Sequence, residues 1–98
     1  MVRHLILWKL RDDIADKEAV LSGIKEGLEG LSGKIEGLKE IKVYTKGFDT
    51  SNVDCCLDSL FDDREALEGY AVNPIHVKVA DEAVRPYTAS RSCMDFEV

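Results

Sequence analysis

Three side chains in this 98-residue sequence are suited to acid–base chemistry: His4, Tyr70 and His76. A histidine with an ordinary pKa of about 6.5 can remove a proton near neutral pH, and a tyrosine hydroxyl can donate a hydrogen bond to an oxyanion. Each residue also has a structural interpretation. His4 shares a predicted strand face with Ile6 and Trp8, and Tyr70 lies on an apolar helical stripe. His76 lies two residues past a proline at a predicted helix start, where it could simply be exposed or bonded to the backbone.

The three cysteines, Cys55, Cys56 and Cys93, do not match a zinc pattern, in which paired ligands are separated by two to four residues. Cys55 and Cys56 are neighbours on a predicted strand and therefore point to opposite faces. We predict that all three are small buried apolar residues in a reducing cytoplasm, with a reactive thiol as the alternative.

Other sites with a recognisable spacing are missing from the sequence. Asp62-Asp63 is interpreted as a helix cap rather than a pair of catalytic carboxylates. There is no His-x-x-x-His or Cys-x-x-Cys pair and no glycine-rich phosphate loop. We therefore expect no metal site and no cofactor, while a single cation held by carbonyl groups stays open.

Composition indicates one globular domain spanning residues 1–98. Apolar residues make up 45% of the chain and charged residues 33%, and the net charge is −6 without a block of Lys or Arg. This charge argues against nucleic acid and anionic membranes as partners. The longest aliphatic and aromatic run, LILW at 5–8, is far shorter than the roughly 20 residues of a membrane-spanning helix. With no secretion signal at the N-terminus, we expect a cytoplasmic protein.

The elements that must position these side chains follow the order β-α-β-β-α-β. Alternating apolar residues predict strands at 2–10, 38–45, 53–61 and 88–96. Apolar residues every three or four positions predict a helix at 16–34 and a second helical region at 62–84, which breaks at Asn73-Pro74. The stripe of the first helix contains Val20, Ile24, Leu28, Leu31 and Ile35, and the last helical segment stacks Ile75, Val79 and Ala83.

This order predicts an α+β domain of ferredoxin-like topology, with a four-stranded antiparallel sheet and its helices on one face. The first strand carries His4, Ile6 and Trp8 on one side and Leu5 and Leu7 on the other. An uncovered apolar sheet face would be a large exposed patch. We therefore expect a homodimer in which two sheets pack face to face.

Several segments resemble the stress-responsive dimeric α/β-barrel (Dabb) domain. The first strand, MVRHLILWKL at 1–10, resembles the first strand of that family, and MDF at 94–96 resembles its usual end. IEGL at 35–38 resembles its Ile-Pro-Gly turn, with Glu36 in place of proline. ALEGYAVNPIH at 66–76 resembles its Leu-x-x-Tyr-x-x-His-Pro-x-His segment, with Asn73 in place of the first histidine. The resemblance implies the fold and the homodimer.

The family includes plant stress proteins and a plant polyketide cyclase, olivetolic acid cyclase, which closes a ring by aldol condensation. Its cyclase-like members use a first-strand histidine, a tyrosine and a histidine after the proline. The matching positions here are His4, Tyr70 and His76. The resemblance implies His76 as the base, Tyr70 as the group that orients the base or the substrate, and His4 as a second polar group.

We therefore expect a pocket near these three side chains that binds a small hydrophobic or aromatic molecule, with Ile6, Trp8 and Val79 as further contacts. One alternative is an enzyme with His76 as general base, either a cyclase-like lyase or a cofactor-free oxygenase. The other is a structural stress protein without a ligand, whose role is its own assembly. The binding module is favoured because it needs only a pocket.

Overall fold

In the computed structural model, which describes residues 1–98, four strands form one antiparallel sheet with helices packed against one face, as predicted. Between the third helix and the last strand, the chain makes a five-residue π-helical turn at Ala80–Val84 and a short 3-10 turn at Arg85–Tyr87. The elements, in chain order, are β1 (Val2–Leu10), α1 (Lys17–Glu29), β2 (Leu38–Tyr44), β3 (Cys55–Phe61), α2 (Arg64–Val72), α3 (Pro74–Val79) and β4 (Thr88–Glu97).

The sheet has the strand order β2-β3-β1-β4, so that β1 is central and β4 lies at an edge. Directly opposed residues in an antiparallel pair lie on the same face. His4 is opposite Ser59 on β3 and Asp95 on β4, and Ile6 is opposite Cys93 on β4. The register therefore places a thiol and a carboxylate from the edge strand on the same side of the sheet as His4.

The helix-facing side of β1 is buried along its whole length, which confirms the predicted alternation. Its members are Val2, His4, Ile6, Trp8 and Leu10. Residues from α1 and the turn after it pack into the same core, and these are the predicted stripe residues Ile24, Leu28, Leu31 and Ile35, whereas Val20 is only partly buried. In contrast, Leu7 on the opposite face is 43% exposed.

Side-chain caps define the helix starts. A carboxylate oxygen of Asp16 accepts a hydrogen bond from the backbone N–H of Ala19 at 3.0 Å, and Asp63 caps α2 in the same way. The Asn73 side chain accepts from the N–H of Ile75 at 2.9 Å at the start of α3. Asp63 and Asn73 therefore act as the predicted caps, and the corner between α2 and α3 is set locally.

Three predicted boundaries were wrong. Helix α1 ends at Glu29 rather than 34, and the chain continues in tight turns through Gly33, which has a φ of +79°. Strand β3 begins at Cys55 instead of 53. The last helical region does not continue as one α-helix to Val84, because the π-helical turn interrupts it at Ala80. Ile75 is 46% exposed, so the predicted apolar stack of this segment is incomplete.

The turn between α1 and β2 is packed directly against α2. Gly37 has a φ of +81°, and a Cβ atom at this position would lie 2.4 Å from the Cβ atom of Ala66. Only glycine fits both the conformation and the space.

No helix of this fold combines the length and the hydrophobicity that crossing a membrane requires.

Candidate functional site

A cavity of about 840 Å³ lies between the helix-facing side of the sheet and the α2–α3 region. Small-molecule sites are typically ~300–1,000 Å³ and mainly apolar. Of the 21 residues that line this cavity, 12 are hydrophobic, and the predicted contacts Ile6 and Trp8 are among them. The cavity therefore has the size and lining of a site for a small organic molecule.

The three residues singled out from the sequence all line this cavity. Tyr70 from α2 stacks on His76 from α3, with ring centroids 3.9 Å apart and an angle of 28° between the ring planes. The centroid of the His4 ring lies 6.1 Å from that of Tyr70. The Asn73-Pro74 corner thus folds His76 back onto Tyr70, and both rings face the histidine of the central strand.

Two polar atoms of this group are buried without a hydrogen-bond partner: the hydroxyl of Tyr70 and Nδ1 of His76. Buried polar groups in folded proteins are nearly always paired, because an unpaired one costs about 1–3 kcal/mol. Tyr70 is only 2% exposed, so solvent at the surface does not compensate for this loss. Tyr70 and His76 both line the cavity, so these unpaired atoms lie beside a space that could hold a small molecule.

His4 has a carboxylate partner. Its Nδ1 is hydrogen-bonded to Oδ1 of Asp95 on the neighbouring strand. An ionised carboxylate can only accept, so Nδ1 carries the proton and donates it. In the neutral ring, Nε2 is then left as the acceptor. Asp95 therefore sets both the tautomer and the orientation of the His4 ring.

Burial shifts the pKa values of the stacked pair in opposite directions. It lowers the pKa of His76, the nearby backbone carbonyls of Ala71 and Tyr70 oppose this shift, and the positive charge of Arg85 adds to it. His76 is therefore uncharged and able to accept a proton at neutral pH. Burial raises the pKa of the Tyr70 hydroxyl, so this group stays a hydrogen-bond donor.

Cys93 was wrongly predicted to be a buried apolar residue. It is exposed on β4, and its Sγ lies 3.8 Å from Nδ1 of His4 and 3.6 Å from Oδ1 of Asp95. Burial by its neighbours and the charge of Asp95 raise the pKa of this thiol.

The other two cysteines, Cys55 and Cys56, do lie on opposite faces of the sheet. Cys55 is buried, which raises its pKa to about 12, whereas Cys56 is only partly buried.

One predicted contact lies outside the cavity wall. Val79 packs against α1 instead, where its Cγ1 lies 2.9 Å from the position that a Cβ atom on Gly27 would occupy.

Sequence reasoning missed the charged residues of the cavity wall, which are three arginines and three carboxylates: Arg64, Arg85, Arg91, Glu68, Asp95 and Glu97. Cys93, Asp95 and Glu97 are alternate residues of β4. This spacing in the sequence could have shown that their side chains share one face of the sheet.

Comparisons with known proteins agree with this architecture. A protein of Streptomyces coelicolor, described as uncharacterised, is 33% identical over 81 residues, which are 78% of this chain and 79% of that protein. A dimeric protein of unknown function from Bacteroides fragilis has a ferredoxin-like fold with a TM-score of 0.90 and 32% identity. That likeness covers 99% of this chain and 95% of the other.

The fold also occurs in an enzyme. The hydroxynitrile lyase of Passiflora edulis has a TM-score of 0.73 and 15% identity, over 97% of this chain and 90% of the lyase. At this identity the likeness concerns the fold alone. The model of the stress-responsive A/B barrel domain matches residues 2–98. With the four-stranded sheet and the dimeric relative, this match places the chain in the stress-responsive A/B barrel domain family.

Proposed function

We propose that this protein is a homodimer that binds a small aromatic or hydrophobic molecule in the cavity between its sheet and helices. The observation that carries the proposal is the pair of buried, unpartnered polar atoms on Tyr70 and His76 in a wall that is otherwise mainly apolar. Apolar burial provides affinity, whereas a few fixed polar groups provide orientation.

The hydrogen-bonding capacity of the wall favours a particular kind of ligand. The Tyr70 hydroxyl, protonated at neutral pH, needs an acceptor such as a carbonyl oxygen. The unpartnered Nδ1 of neutral His76 can take a hydroxyl donor. The three arginines of the wall are balanced by three carboxylates, so charge alone does not select the ligand. A hydroxylated aromatic ketone, of the kind found among aromatic polyketides, meets these requirements.

The homodimer is supported by the sheet face that the helices leave uncovered. This open sheet face carries Leu5, Leu7, Leu60 and Met94. Leu7 is 43% and Met94 65% exposed in the single chain. A second copy of the same face is the natural cover for such residues, and the related Bacteroides protein is dimeric.

The single tryptophan offers a direct test, because Trp8 lines the cavity. Titration with hydroxylated aromatic ketones should change its fluorescence saturably and shift the ring signals of both histidines in NMR spectra. Replacing Tyr70 by Phe removes one hydrogen bond, which contributes ~0.5–1.5 kcal/mol to the binding free energy. The variant should therefore bind about 2- to 12-fold more weakly. Tyr87→Phe, outside the cavity, is the control. If neither Trp8 nor the histidines respond to any compound, the binding proposal fails and a protein without a ligand is favoured.

A second candidate is an enzyme for proton transfer beside a carbonyl group, as in a cyclase-like lyase or a cofactor-free oxygenase. The observation that favours it is the low pKa of His76 next to a protonated tyrosine hydroxyl. His76 would take a proton from the carbon beside the carbonyl, and Tyr70 would donate a hydrogen bond to the enolate oxygen. Transfer of the proton from His76 back to that carbon restores both side chains to their starting states.

Deuterium exchange separates this candidate from simple binding. In heavy water, the wild-type protein should accelerate loss of the proton signal beside the carbonyl of a bound aromatic ketone, and His76→Gln should abolish the acceleration. Binding without any acceleration over buffer would contradict the enzyme and leave the binding module.

A further inference from the structure

Three side chains of different chemistry meet at the edge of the sheet. One ligand-type atom from each of His4, Cys93 and Asp95 lies within 4.8 Å of the other two. Sγ of Cys93 lies 3.8 Å from Nδ1 of His4 and 3.6 Å from Oδ1 of Asp95. The antiparallel register of β1 and β4 creates this group, since Asp95 is opposite His4 and Cys93 is opposite Ile6.

The arrangement is unsuited to a Cys–His–Asp nucleophile. In such a relay the thiol and the carboxylate occupy opposite ring nitrogens, so that a proton can pass through the imidazole. Here both contact the same atom, Nδ1 of His4. Three groups that converge on one point are suited to sharing a single central atom.

Two of the three distances are close to those around a tetrahedral metal ion. Zinc bonds of ~2.0–2.3 Å to nitrogen, oxygen and sulfur place neighbouring ligand atoms about 3.3–3.6 Å apart. The two separations that involve Cys93, 3.8 and 3.6 Å, are within a few tenths of an ångström of this range. The hydrogen-bonded pair of His4 and Asp95 lies closer together than this range, so Nδ1 and Oδ1 must move apart as the ion replaces the shared proton.

The three candidate ligand residues all belong to the cavity wall. His4, Cys93 and Asp95 line the cavity, as does Tyr70. The Tyr70 side chain is 2% exposed, its hydroxyl has no hydrogen-bond partner, and its ring centroid lies 6.1 Å from that of His4. Three protein ligands with an open fourth position are typical of catalytic rather than structural zinc sites. A water or a ligand oxygen held there would have Tyr70 in the same cavity as a donor.

We propose that His4, Cys93 and Asp95 bind a zinc-type divalent ion whose fourth coordination position opens into the cavity. The mixed nitrogen, sulfur and oxygen donor set selects such a metal over Mg²⁺ and Ca²⁺, which require oxygen ligands. On binding, the Cys93 thiol loses its proton to solvent, and the ring proton of neutral His4 is carried by Nε2 instead of Nδ1. This site needs no organic ligand and therefore goes beyond the binding function proposed above.

Cobalt is the probe for this site, because Co²⁺ takes the same ligands as zinc and is coloured. Adding Co²⁺ to the chelator-treated, reduced protein should produce thiolate-to-cobalt charge-transfer absorption in the near ultraviolet and strong visible bands of four-coordinate cobalt. Zinc should displace both. Cys93→Ser should abolish the charge-transfer absorption and weaken metal binding by at least about 100-fold, since losing an outer-shell partner alone costs ~10–100-fold.

Cys56→Ser is the matched control, because it also removes one thiol but from the opposite sheet face. It should leave the spectrum unchanged. Asp95→Asn should weaken cobalt binding while keeping the charge-transfer absorption. Both β4 residues are exposed, and circular dichroism verifies that their variants fold. The proposal is overturned if cobalt gives no charge-transfer absorption with the wild type, or if that absorption persists in Cys93→Ser.

Discussion

At the scale of single residues, the cavity contains two polar atoms whose burial opposes folding. The hydroxyl of Tyr70 and Nδ1 of His76 have no partners, although each lies within a packed region. Leaving such an atom unpaired costs about 1–3 kcal/mol of folding stability. An apolar side chain would avoid that cost, so the polar atoms point to a role other than stability.

Replacing Tyr70 by Phe should therefore leave the free energy of unfolding unchanged or raise it by up to about 1–3 kcal/mol, because an unpaired hydroxyl is removed without changing the ring packing. Urea unfolding followed by circular dichroism measures the change. Tyr87→Phe alters an exposed ring and should stay within about 0.5 kcal/mol of the wild type. A loss of more than about 1 kcal/mol in the Tyr70 variant would mean that its hydroxyl is paired in the folded protein.

The low pKa of His76 makes stability depend on pH in a defined direction. Burial lowers its pKa in the folded chain, whereas in the unfolded chain it titrates near ~6.5. The unfolded state therefore binds the proton first as pH falls, and stability is lost from about pH 6.5 down to the folded pKa. Urea unfolding across this window should show a weaker pH dependence for His76→Gln than for the wild type. Equal slopes for the two proteins would show that His76 does not titrate abnormally.

At the scale of elements, α1 and α3 approach each other at a glycine. A Cβ atom on Gly27 would lie 2.9 Å from Cγ1 of Val79, whereas one on Gly23, a turn earlier, would have no atom within 4 Å. Val79 is branched at Cβ and has little freedom to move away. Val79 therefore packs against α1 and not in the cavity wall.

The two glycines of α1 give a matched pair of substitutions. Gly23→Ala should stabilise the protein by about 0.5–1 kcal/mol through helix propensity. Gly27→Ala gains the same propensity but must displace Val79, and its net effect should be destabilising. Thermal and urea unfolding of both variants measures the difference. If both alanines stabilise equally, α1 and α3 are not packed closely at Gly27.

At the scale of the whole molecule, the open sheet face should hold two copies of the chain together. Leu7→Glu places a charge in the middle of that face, and burying it unpaired against a second copy costs several kcal/mol. Sedimentation analysis should show a dimer for the wild type and a dimer dissociation constant at least about 100-fold higher for the variant. Val72→Glu, at a residue that is 75% exposed on the helix side, should remain dimeric. A monomeric wild type at micromolar concentration would refute the dimer.

Local patterns were sufficient for most of the architecture. The alternation of β1 correctly placed His4, Ile6 and Trp8 on one face, because successive strand residues must point to opposite faces. The structure shows that this face is the one packed against the helices. The Asp62-Asp63 pair was recognised as a cap, since the Asp63 side chain bonds a backbone group only three residues away. Helix α1 was predicted too long, because the apolar stripe continues to Leu31 and Ile35 although the backbone there is in turns.

The sequence by itself determined the order of the elements, the residues that share each face of β1, the caps, and the presence of His4, Tyr70 and His76. Only the tertiary structure decided the stacking of Tyr70 on His76 and the meeting of His4 with Cys93 and Asp95. His4 and Asp95 are 91 positions apart in the chain. Their contact depends on which strands pair and in what register. Periodicity is a local property of the backbone and carries no information about either choice.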